Sequence, residues 1–185
     1  MQTAKKIAPP ERTVWQLDPA HTHVGFSVRH MMFATVKGQF REITGELLLD
    51  EADVSRSEVR VSIPAGSIDT GVAARDEHLR SADFFDVANY PELTFASKRV
   101  HHGQDGSLRV IGDLTIRGAT REVVVTARET GRGTDPWGKE RIGITGEARI
   151  DRRDFGLRWN QALETGGVLV SDEVKIALEI EAVRA

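Results

Sequence analysis

The sequence contains no cysteine, which excludes disulfide bonds and thiol chemistry. It also has no run of about 18 apolar residues, so no segment is predicted to span a bilayer. Acidic and basic residues are nearly balanced, 28 against 25, and are interspersed along the chain. With no basic stripe, and with tryptophans too scattered to form a stacking platform, the chain is not predicted to bind nucleic acid.

The N-terminal sequence MQTAKKIAPPERT carries lysines without an apolar segment behind them, unlike a secretory signal. We therefore expect a cytoplasmic protein, or a periplasmic or secreted one if a signal has been trimmed. The length of 185 residues fits one domain with a substantial core. We expect residues 1–13 to form a flexible N-terminal arm and residues 14–185 to form the domain.

Most of the chain alternates apolar and polar residues with a period of two, which is typical of half-buried β-strands. The clearest strand faces are Val24/Phe26/Val28, Leu93/Phe95, Leu108/Val110/Gly112/Leu114/Ile116, Val123/Val125/Ala127, Ile142/Ile144/Gly146/Ala148/Ile150 and Val174/Ile176/Leu178/Ile180/Ala182. The links between them are short, as in hairpins, and residues 131–139 read as one long hairpin loop. About eight strands connected in this way predict an antiparallel all-β barrel or sandwich.

We favour a barrel, because one-sided alternation in nearly every strand requires a single apolar interior and closure removes the sheet edges. An eight-stranded barrel is either filled by side chains or holds one small ligand. Small residues occupy several predicted inward positions: Gly45, Gly112, Ala127, Gly146 and Ala148. Either they leave the centre open, or they are sites of strong twist or bulges.

One stretch, residues 69–97, departs from the alternation and predicts a short α-helix after the fourth or fifth strand. Asp69 or Thr70 suits the N-cap, and Asp76 and Arg80 have the spacing of an ion pair along a helix. Two adjacent phenylalanines, residues 84 and 85, follow as apolar anchors. A second helical turn is expected near residues 155–159.

The histidines suggest one catalytic alternative, a metal-assisted hydrolase or isomerase. His21 and His23 lie on one face of an extended segment, and His30 could join them. No cysteine or HExxH motif accompanies them, so hydrogen-bonded structural histidines explain the pattern equally simply.

Five motifs in the same order give the chain a family resemblance: LDPAHTHVGFSVRH, VKGQFREITGEL, RDEHLRSADFFDVANYPELTF, GDLTIRGATREVVV, and RRDFGL with DEVKIALEIEA. Together they resemble the YceI family, which is also described as polyisoprenoid-binding and lipocalin-like. The resemblance covers about residues 14–182. It implies an extended eight-stranded antiparallel barrel that holds a long apolar molecule, and it implies no catalytic residues and no cofactor.

The pattern and the resemblance together predict a non-catalytic carrier of a long-chain isoprenoid or a fatty-acyl-like lipid. The expected ligand-binding residues are Val24, Phe26, Val28, His30, Leu47, Arg75, His78, Phe84, Phe85, Leu93, Phe95, Leu114, Ile116, Val125, Ile144 and Leu178. Arg75 and Asp76 could instead anchor the helix without touching a ligand. A scaffold with a filled barrel that binds protein partners is the other alternative. Exposed strand edges or the 131–139 loop could mediate a homodimer, although no sequence feature requires one.

Overall fold

The computed structural model describes residues 12–185 of the chain. Residues 1–11 of the predicted N-terminal arm lie outside the described residues, and Thr13 already belongs to the first strand. None of the helices within residues 12–185 is long and apolar enough to cross a bilayer. The strands are β1 (Thr13–Leu17), β2 (His23–His30), β3 (Ala34–Phe40), β4 (Thr44–Leu49), β5 (Glu58–Pro64), β6 (Ile68–Asp69), β7 (Glu92–His102), β8 (Leu108–Ile116), β9 (Ala119–Thr134), β10 (Glu140–Asp151) and β11 (Val170–Arg184), and the α-helix is α1 (Ala73–Arg80).

Eight strands close into an antiparallel barrel in the order β1-β4-β5-β7-β8-β9-β10-β11, with β11 pairing back onto β1. The last strand is long enough to pair with two others along the same edge. Its C-terminal residues pair with β1, where Leu17 lies opposite Ala182, and its preceding residues pair with β2. From β2 the sheet continues through β3 to β6. The predicted eight-stranded antiparallel barrel with one short helix is confirmed.

The strand directions define two ends of the barrel. The turn end carries the β4–β5 connection (residues 50–57), the β7–β8 turn (103–107) and the β9–β10 turn (135–139). The helix end carries the β2–β3 turn (31–33), the segment from α1 to β7 (73–91) and the β10–β11 connection (152–169). These two ends differ in chemistry, and the difference determines how the interior can be used.

Helix α1 begins later than the sequence suggests, with Val72 rather than Asp69 or Thr70 at the N-cap. The hydrogen bonds run opposite to those of an N-cap, because a side chain inside the helix accepts from a residue that precedes it. Asp76 in the first turn is only 7% exposed and accepts hydrogen bonds from the backbone N–H and the hydroxyl of Thr70. The predicted Asp76–Arg80 ion pair does not form, because Arg80 points to the preceding segment and donates to two of its backbone carbonyls.

Two connections also differ from prediction. Residues 131–134 belong to β9, so the turn is confined to Asp135–Lys139, because pairing with β10 continues past a register shift at Gly143/Ile144. The helical turn after β10 is a 3-10 turn at Arg152–Phe155, earlier than predicted. Gly156, with φ of +78°, ends it there in the left-handed conformation that glycine adopts without strain.

Candidate functional site

The barrel encloses an apolar cavity of about 560 Å³. This volume falls within the roughly 300–1,000 Å³ typical of small-molecule sites. The thirteen apolar residues expected to bind a ligand all line it: Val24, Phe26, Val28, Leu47, Phe84, Phe85, Leu93, Phe95, Leu114, Ile116, Val125, Ile144 and Leu178. Other strand residues, among them Val59 and Val61 of β5 and Val110 and Ile176 of β8 and β11, complete the wall. The interior surface is therefore mostly hydrocarbon.

The small inward residues fall into two groups. Gly146, Ala127 and Ala148 line the cavity, and Gly146 lies directly opposite Ala127 on the neighbouring strand. Their short side chains leave space that larger residues would occupy. Gly45 and Gly112 are sites of close approach instead, since a Cβ on Gly45 would lie 2.5 Å from a backbone carbonyl oxygen of β5. Of the two explanations that the sequence offered, the bulge applies at Gly112, which pairs with Ser97 beside a register shift, and close approach at Gly45 is a third.

A line of aromatic rings forms one wall of the cavity. The ring of Phe26 lies across Gly38 of β3, where an added Cβ would come within 2.9 Å of three ring atoms. Phe40 packs against Phe26 with a centroid distance of 5.8 Å, and Phe85 meets Phe40 edge-on at the same distance. This wall connects β2 and β3 to the segment that follows α1.

The helix end is closed by Phe84 and the residues stacked on it. His78 of α1 lies edge-on to Phe84 at 5.1 Å and to Trp159 at 4.8 Å, and its Nε2 lies 2.8 Å from a carboxylate oxygen of Asp83. Arg117 donates a hydrogen bond to the backbone carbonyl of Phe84. The two phenylalanines of the DFF motif therefore face the cavity, with His78 behind them.

None of the three polar residues predicted as ligand contacts lines the cavity. His78 is separated from it by Phe84, and Arg75 donates two hydrogen bonds to Thr70, from Nε to the hydroxyl and from Nη2 to the carbonyl. Together with the Asp76–Thr70 contacts, these bonds fasten the start of α1 to the segment before it. His30, at the last position of β2, is paired with Val170 and also lies outside the lining. Their contact with a ligand stays a prediction; in the structure Arg75 holds the start of α1 and His78 contacts Asp83, Phe84 and Trp159.

Most of the polar part of the lining lies at the turn end and was not identified from the sequence; at the helix end the lining includes Arg152, which donates its hydrogen bonds to backbone carbonyls. Arg132 of β9 pairs with Glu51 at 2.5 Å and with Glu129 at 2.7 Å, and its guanidinium lies over the ring of Trp15. The hydrogen bonds that Arg132 donates to Glu129 and, to a lesser extent, to Glu51 raise the pKa of Arg132 above its usual value. His102, at the end of β7, also lines this end. No local pattern could reveal the cluster, because Glu51 and Arg132 are 81 positions apart.

The histidines proposed as a metal cluster do not converge. His23 and His30 stand at opposite ends of β2, roughly 20 Å apart at the rise of an extended strand. His21 joins Asp18 and Glu181 in a grouping with metal-ligand geometry. Arg141 occupies it, however, and donates to Asp18 at 2.7 Å and to Glu181 at 2.5 Å. These two carboxylates are therefore satisfied by a guanidinium already present in the chain.

This geometry agrees with comparisons to known proteins. The family described as YceI-like domain matches residues 15–182. An UPF0312 protein of Vibrio cholerae is 40% identical over 139 residues, which cover 75% of this chain and 74% of the relative. The structure of a YCEI protein of Campylobacter jejuni is 32% identical, with a TM-score of 0.73 over 91% of this chain and 96% of the other.

A more distant neighbour shares the fold alone. The structure of a polyisoprenoid binding domain from Saccharophagus degradans is 16% identical, with a TM-score of 0.69, and the match covers 94% of this chain and 99% of the other. The family match spans almost the whole described barrel, from β1 to β11. The chain belongs to the YceI family.

Proposed function

We propose that the chain is a non-catalytic carrier that binds a long-chain isoprenoid or a similar amphiphilic lipid in the barrel. The observation that carries this proposal is the cavity of about 560 Å³ within the barrel, whose wall is mostly apolar. Burial of an alkyl or prenyl tail contributes about 25 cal/mol per Å² of apolar surface and needs no charged partner. The name of the Saccharophagus neighbour, a polyisoprenoid binding domain, is consistent with this class of ligand.

The distribution of polar groups suggests the orientation of the ligand. Glu51, Glu129, Arg132 and His102 lie at the turn end of the lining. At the helix end Phe84 and Phe85 face the cavity, and the one charged lining residue there, Arg152, is already hydrogen-bonded to backbone carbonyls. A tail would then lie toward the phenylalanines and a head group toward the turn end. Because Arg132 is already paired with two carboxylates, this end favours an uncharged polar head group over a diphosphate.

The cavity also distinguishes this proposal from its alternatives. A scaffold with a filled barrel requires packed side chains where the cavity lies. A metal-assisted hydrolase built on His21, His23 and His30 requires these side chains to meet, and they are spread along and before β2. Neither alternative is favoured by a specific contact.

The direct test is organic extraction of gently purified protein, followed by mass spectrometry of the extract. We expect a lipid in stoichiometric amount, and an extract without any would contradict the proposal. The variant Ala148→Phe should abolish the bound lipid, because its ring projects into the cavity from β10. Thr145→Phe is the matched control, since Thr145 is exposed on the same strand. Equal lipid content in both variants would also contradict the proposed site.

A further inference from the structure

The tip of the β2–β3 hairpin carries three large apolar side chains in solvent. Met31, Met32 and Phe33 are 39%, 57% and 74% exposed. Met31 and Met32 have φ values of 51° and 68°, in the left-handed region that favours glycine and asparagine. A polar turn sequence would form this hairpin with less strain, so the fold itself does not require an apolar tip.

The tip is held in place by the neighbouring connection. The backbone N–H of Met31 donates to the carbonyl of Leu169 at 2.8 Å, and Arg29 donates to the carbonyl of Met32 at 3.3 Å. The side chain of Met32 lies over Gly167, beside Val168, which is 37% exposed. Met31, Met32, Phe33 and Val168 thus make one projecting surface, called here the apolar tip.

Positive charge accompanies the apolar tip. Arg29 and Lys37 are exposed on the strands that lead to it, and neither forms an ion pair with another residue of the described range 12–185. The nearby acidic residues of β11 are already paired, Asp172 with Arg152 and Arg153 and Glu173 with Arg149. In the 160–169 loop, Glu164 is the only acidic residue. The surface around the tip is therefore suited to an anionic partner.

The apolar tip also lies at the helix end of the cavity. Val28 and Val170 line the cavity, and they belong to the two paired strand ends from which the tip projects. A partner that contacts the tip is therefore placed beside the apolar interior.

We propose that the apolar tip docks on an anionic lipid bilayer by inserting Met32 and Phe33 among the acyl chains. A convex tip suits a fluid partner better than a protein. Even fully buried, a large aromatic side chain contributes only about 150–250 Å². The four side chains of the tip are only 37–74% exposed, so their exposed surface falls below the roughly 800 Å² per partner of a stable protein interface. The docking surface goes beyond the carrier role and does not depend on which ligand occupies the cavity.

The test is co-flotation of the full chain with vesicles of phosphatidylcholine, with and without phosphatidylglycerol. We expect stronger binding to the anionic vesicles, weakening as salt is added. Phe33→Ser should lower the partition coefficient about tenfold or more, since it removes most of the inserted apolar surface. The double variant Arg29→Gln/Lys37→Gln should lose only the preference for anionic vesicles.

Trp137→Ser is the matched control, because Trp137 is 82% exposed at the opposite, turn end of the barrel. It should bind vesicles like the unaltered chain. Circular dichroism confirms that each variant is folded. Absence of vesicle binding, or equal losses in Phe33→Ser and Trp137→Ser, would overturn the proposal. So would a concentration-dependent dimer that Phe33→Ser dissociates, because the tip would then be covered by a second copy.

Discussion

Replacing Arg152 by methionine tests how much this one side chain contributes to the stability of the connection between β10 and β11. Arg152 is 5% exposed, and its guanidinium donates to the backbone carbonyls of Ser171 at 3.0 Å and of Leu157 and Trp159 at 2.8 Å. Burial is the largest influence on its pKa and lowers it, although Asp172 lies 3.5 Å away and opposes the shift. The positive charge of Arg152 is thus stabilised mainly by the backbone carbonyls of the β10–β11 connection and the start of β11.

The size of the effect follows from these contacts. Each hydrogen bond from a charged donor contributes about 1.5–3 kcal/mol. The loss is smaller than the sum of these hydrogen bonds, because removing the guanidinium also removes the cost of its desolvation and because methionine fills part of the space. We therefore expect Arg152→Met to lower the free energy of unfolding by about 3–5 kcal/mol, the usual range for breaking a buried charged network. In urea this corresponds to a midpoint lower by roughly 1–3 M.

The adjacent Arg153 provides the control. It is exposed and forms ion pairs with Asp151 at 2.6 Å and Asp172 at 3.4 Å, so Arg153→Met should cost at most about 1 kcal/mol. Urea unfolding of both variants measures the difference. Limited proteolysis should cut Arg152→Met, and not Arg153→Met, within residues 156–169. Equal unfolding midpoints for the two variants would refute the assignment of Arg152 as the fastening of this connection.

Two further substitutions test the wall and the charged cluster outside it. Gly38→Ala should lower the free energy of unfolding by about 1–3 kcal/mol and reduce the lipid content, because the added methyl group displaces the ring of Phe26 into the cavity. The control is Gly131→Ala, whose Cβ meets open space. It should change neither the stability measured by urea unfolding nor the amount of extracted lipid. A hydrogen bond from His21 is the largest factor that lowers the pKa of Asp18, to about 2 from 3.8. The stabilisation that ionised Asp18 provides is therefore present above about pH 4 and is lost as the pH falls through 2. The urea midpoint of Asp18→Asn should accordingly depend less on pH between about 4 and 2 than that of the unaltered chain. Equal falls of the two midpoints would contradict this. Asp18 raises the pKa of His21, whose contribution is present below about 6.5 and is lost as the pH rises through the raised value.

The alternation of apolar and polar residues determined most of the wall. An inward position of a strand is a property of consecutive residues, because successive side chains point to opposite faces. For this reason the local pattern predicts an inward position for residues as distant as Val24 and Leu178, and both line the cavity. Phe84 and Phe85 were recognised as anchors by their size and their place after the helix. The period of two does not show, however, whether the space between the walls is filled.

The tertiary structure decided the remaining features, because each depends on residues far apart in the chain. Gly146 lies against the side chains of Leu178 and Val125 in the cavity wall, whereas Gly112 lies against the backbone carbonyl of Ala96, and only these neighbours distinguish the two glycines. Glu51 and Arg132 meet because the β4–β5 connection reaches across the barrel to β9. Arg75 and His78 are prominent in the sequence motif, but neither lines the interior. Arg75 donates a hydrogen bond to Thr70, and His78 packs against Phe84. The sequence by itself thus determined which faces are apolar, whereas closure of the barrel decided the space they enclose, since distances between remote residues are set by packing and not by local periodicity.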